Sequence, residues 1–315
     1  MSVKQLRDRI QQEVGKVVFG QEEAVDYSLA ALLSGGHVLL EGVPGTAKTL
    51  LVKALAATLQ LAFGRVQMTP DKLPGDITGT SIYREDIKEF EFKRGPIFTN
   101  FLLADEINRA SAKTQAALLE AMQEYGVTHD GVTHPLPEPF LMFATQNPVD
   151  QEGTYPLPLA QQDRFMFKVI VGYPDAEAEE RMLTEHHVGS PHQRLQDLGI
   201  TPVAGAKHVL QAREIIRKTY VREELVGYVR RLAAATRQDE SLLVGASPRA
   251  ALMCLMGAKA VARFSDRDYV TPDDVKYVFR AGLRHRVVLS PSSELEGGDA
   301  DSVLGMILDR VEVPR

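Results

Sequence analysis

Tryptophan is absent from this 315-residue chain, aromatic residues make up only 7% of it, and cysteine occurs once, at Cys254. A single cysteine excludes an internal disulfide framework. Cys254 lies in the apolar stretch 250–258 with no partner pattern around it, so it reads as a buried structural thiol and not as a nucleophile. No run approaches the ~20 apolar residues of a membrane span. Residues 1–7 carry charges and no apolar signal core, which makes the cytoplasm the expected address. An excess of positive charge is missing too: 36 Lys and Arg stand against 42 Asp and Glu, a formal charge of −6. That balance argues against a protein whose main business is coating duplex nucleic acid, although it leaves room for a local basic patch.

What is present is an ordinary globular composition, 44% hydrophobic and 25% charged. At roughly 150 residues per domain the length suggests two domains. The first part of the chain alternates between two periodicities. Glu22–Ser34 places Ala24, Val25, Leu29, Leu32 and Leu33 at helical spacing, and Gly35-Gly36 stops that helix. Helices are also predicted over Lys48–Leu61 and Ala112–Glu124. His37–Glu41 is a short apolar run of buried-strand type, Arg65–Thr69 is strand-like, and Phe101–Asp105, Phe140–Thr145 and Phe165–Val171 are three more strand candidates. Strands alternating with helices imply an α/β domain with a mostly parallel sheet. Two stretches interrupt the alternation, Thr78–Phe92 and Gly126–His134, and the second carries the hairpin signal Asp130-Gly131. After Gly172 the strand signals stop. Helices are predicted over Pro174–Val188, Ala206–Tyr220, Glu223–Thr236, Pro248–Phe264 and Pro272–Leu283. Ser247-Pro248 and Thr271-Pro272 read as helix starts. Gly189–Gly205 reads as an irregular connection, and the segment after Pro291 as a Ser-, Gly- and Asp-rich tail. The expected division is therefore 1–172, an α/β core with an N-terminal linker helix, and 173–315, a helical domain.

The strongest chemical signal is Gly42-Val43-Pro44-Gly45-Thr46-Ala47-Lys48-Thr49, which follows a strand and opens a helix. A tight loop there aims several backbone N–H groups at phosphates, and the helix N-terminus adds favourable partial charge. Lys48 would supply a cation to the β- and γ-phosphates, and the Thr49 hydroxyl a ligand for Mg²⁺. Ala47 stands where glycine is usual. A methyl group is tolerable there if the residue already has helical φ/ψ, which its place at the helix start suggests. The apolar run Phe101–Ala104 delivers Asp105 and Glu106 to the carboxyl end of a strand, where open α/β sheets bind ligands. Asp105 would hold Mg²⁺, and Glu106 would orient or deprotonate the attacking water. A third strand ends in Asn147, placed to hold either that water or a γ-phosphate oxygen.

These residues are similar to those of the AAA+ ATPases, and within them the chain resembles the MoxR family. The resemblance covers nearly the whole chain and rests on Val18–Gln21, Gly42–Thr49, Gly95–Arg109, Ala144–Pro148, Gln151–Pro158, Gln162–Phe165 and Ala246–Ala250. It implies a P-loop αβα core with a five-stranded parallel sheet, β-hairpin insertions and a helical lid. ATP is the implied nucleotide. Gly42–Thr49 with Leu50 corresponds to the Walker A element, Asp105 and Glu106 to Walker B, and Asn147 to sensor 1. Arg164 corresponds to an arginine finger reaching the neighbouring subunit's nucleotide, and Arg249 to a sensor-2 arginine on the lid. Val18, Phe19, Gly20 and Gln21 match the segment beside the adenine ring. The plainer alternatives are an ion pair of Arg164 with Asp163 and a solvated Arg249. Arg109 is a further candidate for interface contacts.

The resemblance also implies a homo-oligomeric ring, a hexamer, that serves as a chaperone-like remodelling factor for another protein or complex, with a separate partner that carries a von Willebrand factor A domain. The client is unnamed. Both insertions are either hairpins that face the ring's centre and engage substrate, as in related machines, or plain surface ones. The cluster Arg280, Arg284, His285 and Arg286 reads as a solvated or subunit-interface face, and His186-His187 is not spaced for a metal. A metal-chelatase motor subunit and a DNA-dependent motor remain as rivals, as does a scaffold that binds nucleotide without turnover.

Overall fold

The computed structural model describes residues 1–86, 88–148, 154–186 and 199–314. Five parallel strands form the central sheet: β1 (Val38–Glu41), β2 (Phe63–Gln67), β5 (Phe101–Asp105), β8 (Leu141–Gln146) and β9 (Phe167–Ile170), in the order β2-β5-β8-β1-β9. The centres of β1, β5 and β8 are buried on both faces, which explains why they read as continuous apolar runs. The register sets Leu39 beside Ala144 and Ala144 beside Ala104. The carboxyl ends of β1, β8 and β5 therefore lie side by side, and the loops that leave them share one crevice.

Helices cover the sheet. Helix α1 (Val3–Val14) starts in a capping box between Ser2 and Gln5 and buries Val3, Leu6, Ile10 and Val14, one stripe at helical spacing. Helix α2 (Glu22–Ser34) is buried from Ala24 to Leu33 and ends at Gly35. Helix α3 (Lys48–Thr58) follows β1 directly. The short α4 (Pro74–Thr78) leads into hairpin β3 (Gly79–Arg84) and β4 (Glu89–Arg94). Helix α5 (Ala112–Glu124) leads into hairpin β6 (Gly126–His129) and β7 (Val132–Pro135), whose turn residues Asp130 and Gly131 both have positive φ, as a two-residue turn demands. Both predicted insertions are thus antiparallel hairpins, and they lean on each other. The Phe92 ring stacks on His134 with centroids 4.3 Å apart, and the Ser81 hydroxyl lies 2.9 Å from His129 Nε2.

After the one-turn α6 (Leu159–Gln162) and β9, the chain turns helical: α7 (Ala176–His186), α8 (Ala206–Arg217), α9 (Glu223–Gln238), α10 (Pro248–Phe264) and α11 (Pro272–Leu283). Helix α10 begins as its sequence predicts, the Ser247 hydroxyl accepting from the Ala250 N–H at 3.0 Å. At α11, Asp274 accepts from the Thr271 N–H at 2.7 Å. Two features were not predicted. Strand β10 (Leu242–Val244) pairs with β11 (Val288–Leu289) in a small antiparallel ribbon. The tail also folds, as α12 (Pro291–Leu295) and α13 (Ala300–Arg310). Asp299 caps α13, which buries Val303, Leu304, Ile307 and Leu308. Most of the predicted connection Gly189–Gly205 lies outside the described residues. No described helix is long and apolar enough to cross a membrane.

The basic cluster near the end of α11 departs from its sequence reading. His285 and Arg286 are 3% and 2% exposed and face the core, while Arg284 pairs with Asp301 at 2.9 Å. A second buried imidazole, His37, accepts from the Met142 N–H through Nδ1 at 3.0 Å and donates from Nε2 to the Met122 carbonyl at 3.2 Å. Burial pushes the His37 pKa down to about 3 and that of His285 well below its ordinary value. Both rings are therefore neutral in the fold, whereas the unfolded chain protonates them below about pH 6.5. The unfolded state binds more protons as pH falls, so stability drops. Between about pH 7.5 and 5 the loss is about 2 kcal/mol for His37, and His285 acts in the same direction. Urea midpoints measured across that window should fall as pH falls, and equal midpoints would contradict the neutral assignment.

Candidate nucleotide site

Gly42–Ala47 forms a tight loop between β1 and α3. Gly45 has φ 87°, a conformation that glycine reaches without strain. Ala47 corrects the sequence expectation. It is the N-cap of α3 at φ 60°, ψ 17°, left-handed and not helical. Its methyl group makes that conformation unfavourable by roughly 1 kcal/mol or more. Ala47→Gly should therefore raise the urea midpoint by the equivalent of about 0.5–1 kcal/mol at unchanged slope. A less stable glycine variant would show that the methyl group is supported by its surroundings.

The Lys48 ammonium turns back over the loop, donating to the carbonyls of Gly42 at 2.8 Å and Val43 at 2.7 Å. Partial burial lowers its pKa, while Asp105 and Glu106 act in the opposite direction. Asp105 closes β5 and is nearly buried. Its Oδ1 accepts from the Thr145 hydroxyl at 2.6 Å, and its Oδ2 accepts from Arg65 Nη2 at 2.6 Å and Nε at 3.0 Å. Glu106 follows at φ 56°, a left-handed turn that carries its carboxylate out of the strand line. The Thr145 hydroxyl accepts from the Glu106 N–H at 2.8 Å, and Gln67 Nε2 donates to Glu106 Oε2 at 2.9 Å. Arg109 lies 3.4 Å from the same carboxylate oxygen.

A cavity of about 440 Å³ gathers the loop from Gly42 to Leu50 (Val43 excepted) with Asp105, Glu106 and Asn147. Three separate sequence signals thus meet in one space. Sequence reasoning missed Arg65 and Thr145 in this site. Thr145 stood inside a motif already singled out, but nothing in the sequence showed that its hydroxyl bridges Asp105 and Glu106. Arg65 stood only at the start of a predicted strand, and only the register of Gln67 beside Asp105 places it here.

Other predicted residues lie elsewhere. Val18 and Phe19 are buried, and Arg181 of α7 sits over the Phe19 ring at 5.4 Å. Gly20 approaches Pro174 and Ala178, and Gln21 donates to the Gly172 carbonyl at 3.1 Å. That segment is wedged between the α/β layer and the first helix beyond it, outside the lining of the cavity. Arg164 follows α6, and Arg249 occupies the first turn of α10. Neither side chain has a hydrogen bond or ion pair to another described residue. Asp163 pairs with Arg286 and not with Arg164. The segment 151–153 lies outside the described residues. Among those residues no group of three His, Cys, Asp or Glu is placed to hold a metal, so any cation here needs hydroxyl and phosphate oxygens as well.

A P-loop crevice on a β2-β5-β8-β1-β9 sheet, followed by a helical lid, defines a nucleotide-hydrolysing domain of the AAA class. The model of the ATPase family associated with various cellular activities (AAA) matches residues 37–167, and that of the AAA lid domain matches 234–305. The chain is 45% identical over 312 residues to the chaperone MoxR1 of Mycobacterium tuberculosis, covering 96% of this chain and 81% of that one. It is 43% identical over 303 residues to the uncharacterized protein YeaC of Bacillus subtilis, covering 96% and 93%. A crystal structure of a candidate ATPase from Cytophaga hutchinsonii superposes with TM-score 0.89 at 44% identity, over 99% of this chain and 97% of that one. The chain belongs to the MoxR family of AAA+ ATPases, and its activity is ATP hydrolysis.

Proposed function

We propose that this ATPase is Mg²⁺-dependent and works in the cytoplasm as a homo-oligomeric ring, a hexamer, that remodels a partner protein. One observation carries the assignment of roles: Lys48, Thr49, Asp105, Glu106 and Asn147 converge on one cavity at the carboxyl ends of β1, β5 and β8. The loop N–H groups and Lys48 bind the phosphates. Thr49 and Asp105 offer the hard oxygen donors that suit Mg²⁺, provided Arg65 releases Asp105. The cation would neutralise phosphate charge. Glu106 takes up the proton of the attacking water, and Asn147 fixes that water or a γ-phosphate oxygen. Arg249 acts on the nucleotide of its own subunit from the lid. Arg164 acts on the nucleotide of the next subunit, and the lack of a side-chain hydrogen bond or ion pair to any described residue supports that reading. Val18–Gln21, at the junction of core and lid, borders the adenine. The division at Gly172 separates a core from a lid.

Remodelling is supported by the relative named as a chaperone. The partner proposed is a separate von Willebrand factor A domain protein. The β3–β4 hairpin presents a surface for it: the Tyr83 and Phe90 rings pair at 5.3 Å and are 53% and 75% exposed. Phosphate release should stop when EDTA removes divalent cations and return with Mg²⁺, while a fluorescent ATP analogue remains bound more weakly. Unchanged turnover in EDTA would remove the cation from the mechanism.

A further inference from the structure

Arg286 is an arginine in a place that favours an apolar side chain. It is 2% exposed. Its Nη2 donates to the carbonyls of Asp163 at 2.8 Å and Phe165 at 2.6 Å, and its Nη1 donates to the Gly282 carbonyl at 2.6 Å. Its Nε stands 2.9 Å from Asp163 Oδ1. His285 Nε2 adds a second hydrogen bond to the Phe165 carbonyl at 2.9 Å. The residues on both sides of Arg164 are therefore gripped by the segment that follows α11. Asp163 Oδ1 also accepts from the Ser247 hydroxyl at 3.0 Å, and the same hydroxyl caps α10, whose first turn carries Arg249. Replacing a buried ion pair with apolar residues is often neutral or stabilising, so this pair is poorly explained by stability alone. What it supplies is fixed geometry.

We propose that Asp163, Ser247 and Arg286 form a positioning unit that mounts Arg164 and Arg249 on one rigid block. Any lid movement that shifts Arg249 over its own subunit's nucleotide then shifts Arg164 toward or away from the neighbour's. The unit passes the state of one site to the next without any of its three members touching nucleotide. This rests on the reading of Arg164 as acting across the subunit boundary, and the test separates the two.

The test is complementation between inactive subunits, with mass followed by light scattering. Arg164→Ala chains keep a nucleotide site but lack the finger, and Lys48→Ala chains keep the finger but lack a working site. Mixed rings of the two should regain ATPase activity. Finger donors carrying Lys48→Ala together with Asp163→Asn should regain about tenfold less or lower still, because misplacing a positioned group by about 1 Å is worth up to 100-fold. A donor's own site is already dead, so the loss reports only how it presents Arg164. A general loss of fold would show instead in mass or melting. If the Asp163→Asn donor does not assemble, the donor carrying Lys48→Ala and Ser247→Ala keeps the buried ion pair and should show the same defect. Equal rescue by single and double donors would overturn the positioning unit. Absence of rescue by the single donor would overturn the trans reading of Arg164, and the unit with it.

Discussion

Glu106→Gln protein should bind ATP about as tightly as the parent and release phosphate at least about 100-fold more slowly, the range expected when a positioned general base is removed. The substitution keeps the shape of the side chain and its contact with Gln67, which lies 2.9 Å from Glu106 Oε2. The left-handed turn at φ 56° and the Thr145 hydroxyl on the Glu106 N–H are main-chain features, so they persist in the variant. Binding rests on the Gly42–Thr49 loop, which the change does not touch. Affinity from a fluorescent ATP analogue and turnover from phosphate release therefore separate cleanly. Rapid turnover by the glutamine variant would remove Glu106 from the water-activating role and shift attention to Asn147.

Arg164→Ala carries the other large effect. An arginine finger supplied by a neighbour is worth on the order of 10³-fold or more in turnover. Loss on that scale is expected in assembled protein, with ATP affinity and melting temperature nearly unchanged. Stability should hold because the Arg164 side chain makes no hydrogen bond or ion pair with another described residue, whereas its neighbours Asp163 and Phe165 are held by Arg286. Melting curves, light scattering and phosphate release on the same preparation decide it. An assembled Arg164→Ala ring that hydrolyses ATP like the parent would rule out the trans role.

Much of the scaffold was legible because each layer carries its own period. The run Phe101–Asp105 was predicted to its ends, since a strand buried on both faces reads as an unbroken apolar run closed by a charge. Helix Pro248–Phe264 was equally legible, because Ser247 and Pro248 announce its start. Helix α13 was not, because Gly297-Gly298 and the polar residues before it drew attention from the spacing of Val303, Leu304, Ile307 and Leu308. Strands β10 and β11 were too short to show a period at all.

The site divides in the same way. Its local signals, a loop after a strand and carboxylates ending another, were legible because the chemistry needs neighbouring residues in sequence. Contacts made across strands were not. Arg65 meets Asp105 only through strand register, and Thr145 meets both Asp105 and Glu106 from the next strand. Arg286 was read as part of a solvated or subunit-interface face because charge alone says nothing of the carbonyls waiting for it in the core. The left-handed Ala47 escaped because its place before a helix points toward helical φ, whereas the loop closes by a turn of opposite hand.

The central claim is that catalysis is completed between subunits. The most direct test is the ATPase rate per chain across a protein dilution series, with mass recorded by light scattering at every concentration. The account predicts that specific activity climbs steeply as the mass rises toward that of a hexamer and is nearly absent in the monomer. Full specific activity in a monomeric preparation would contradict it.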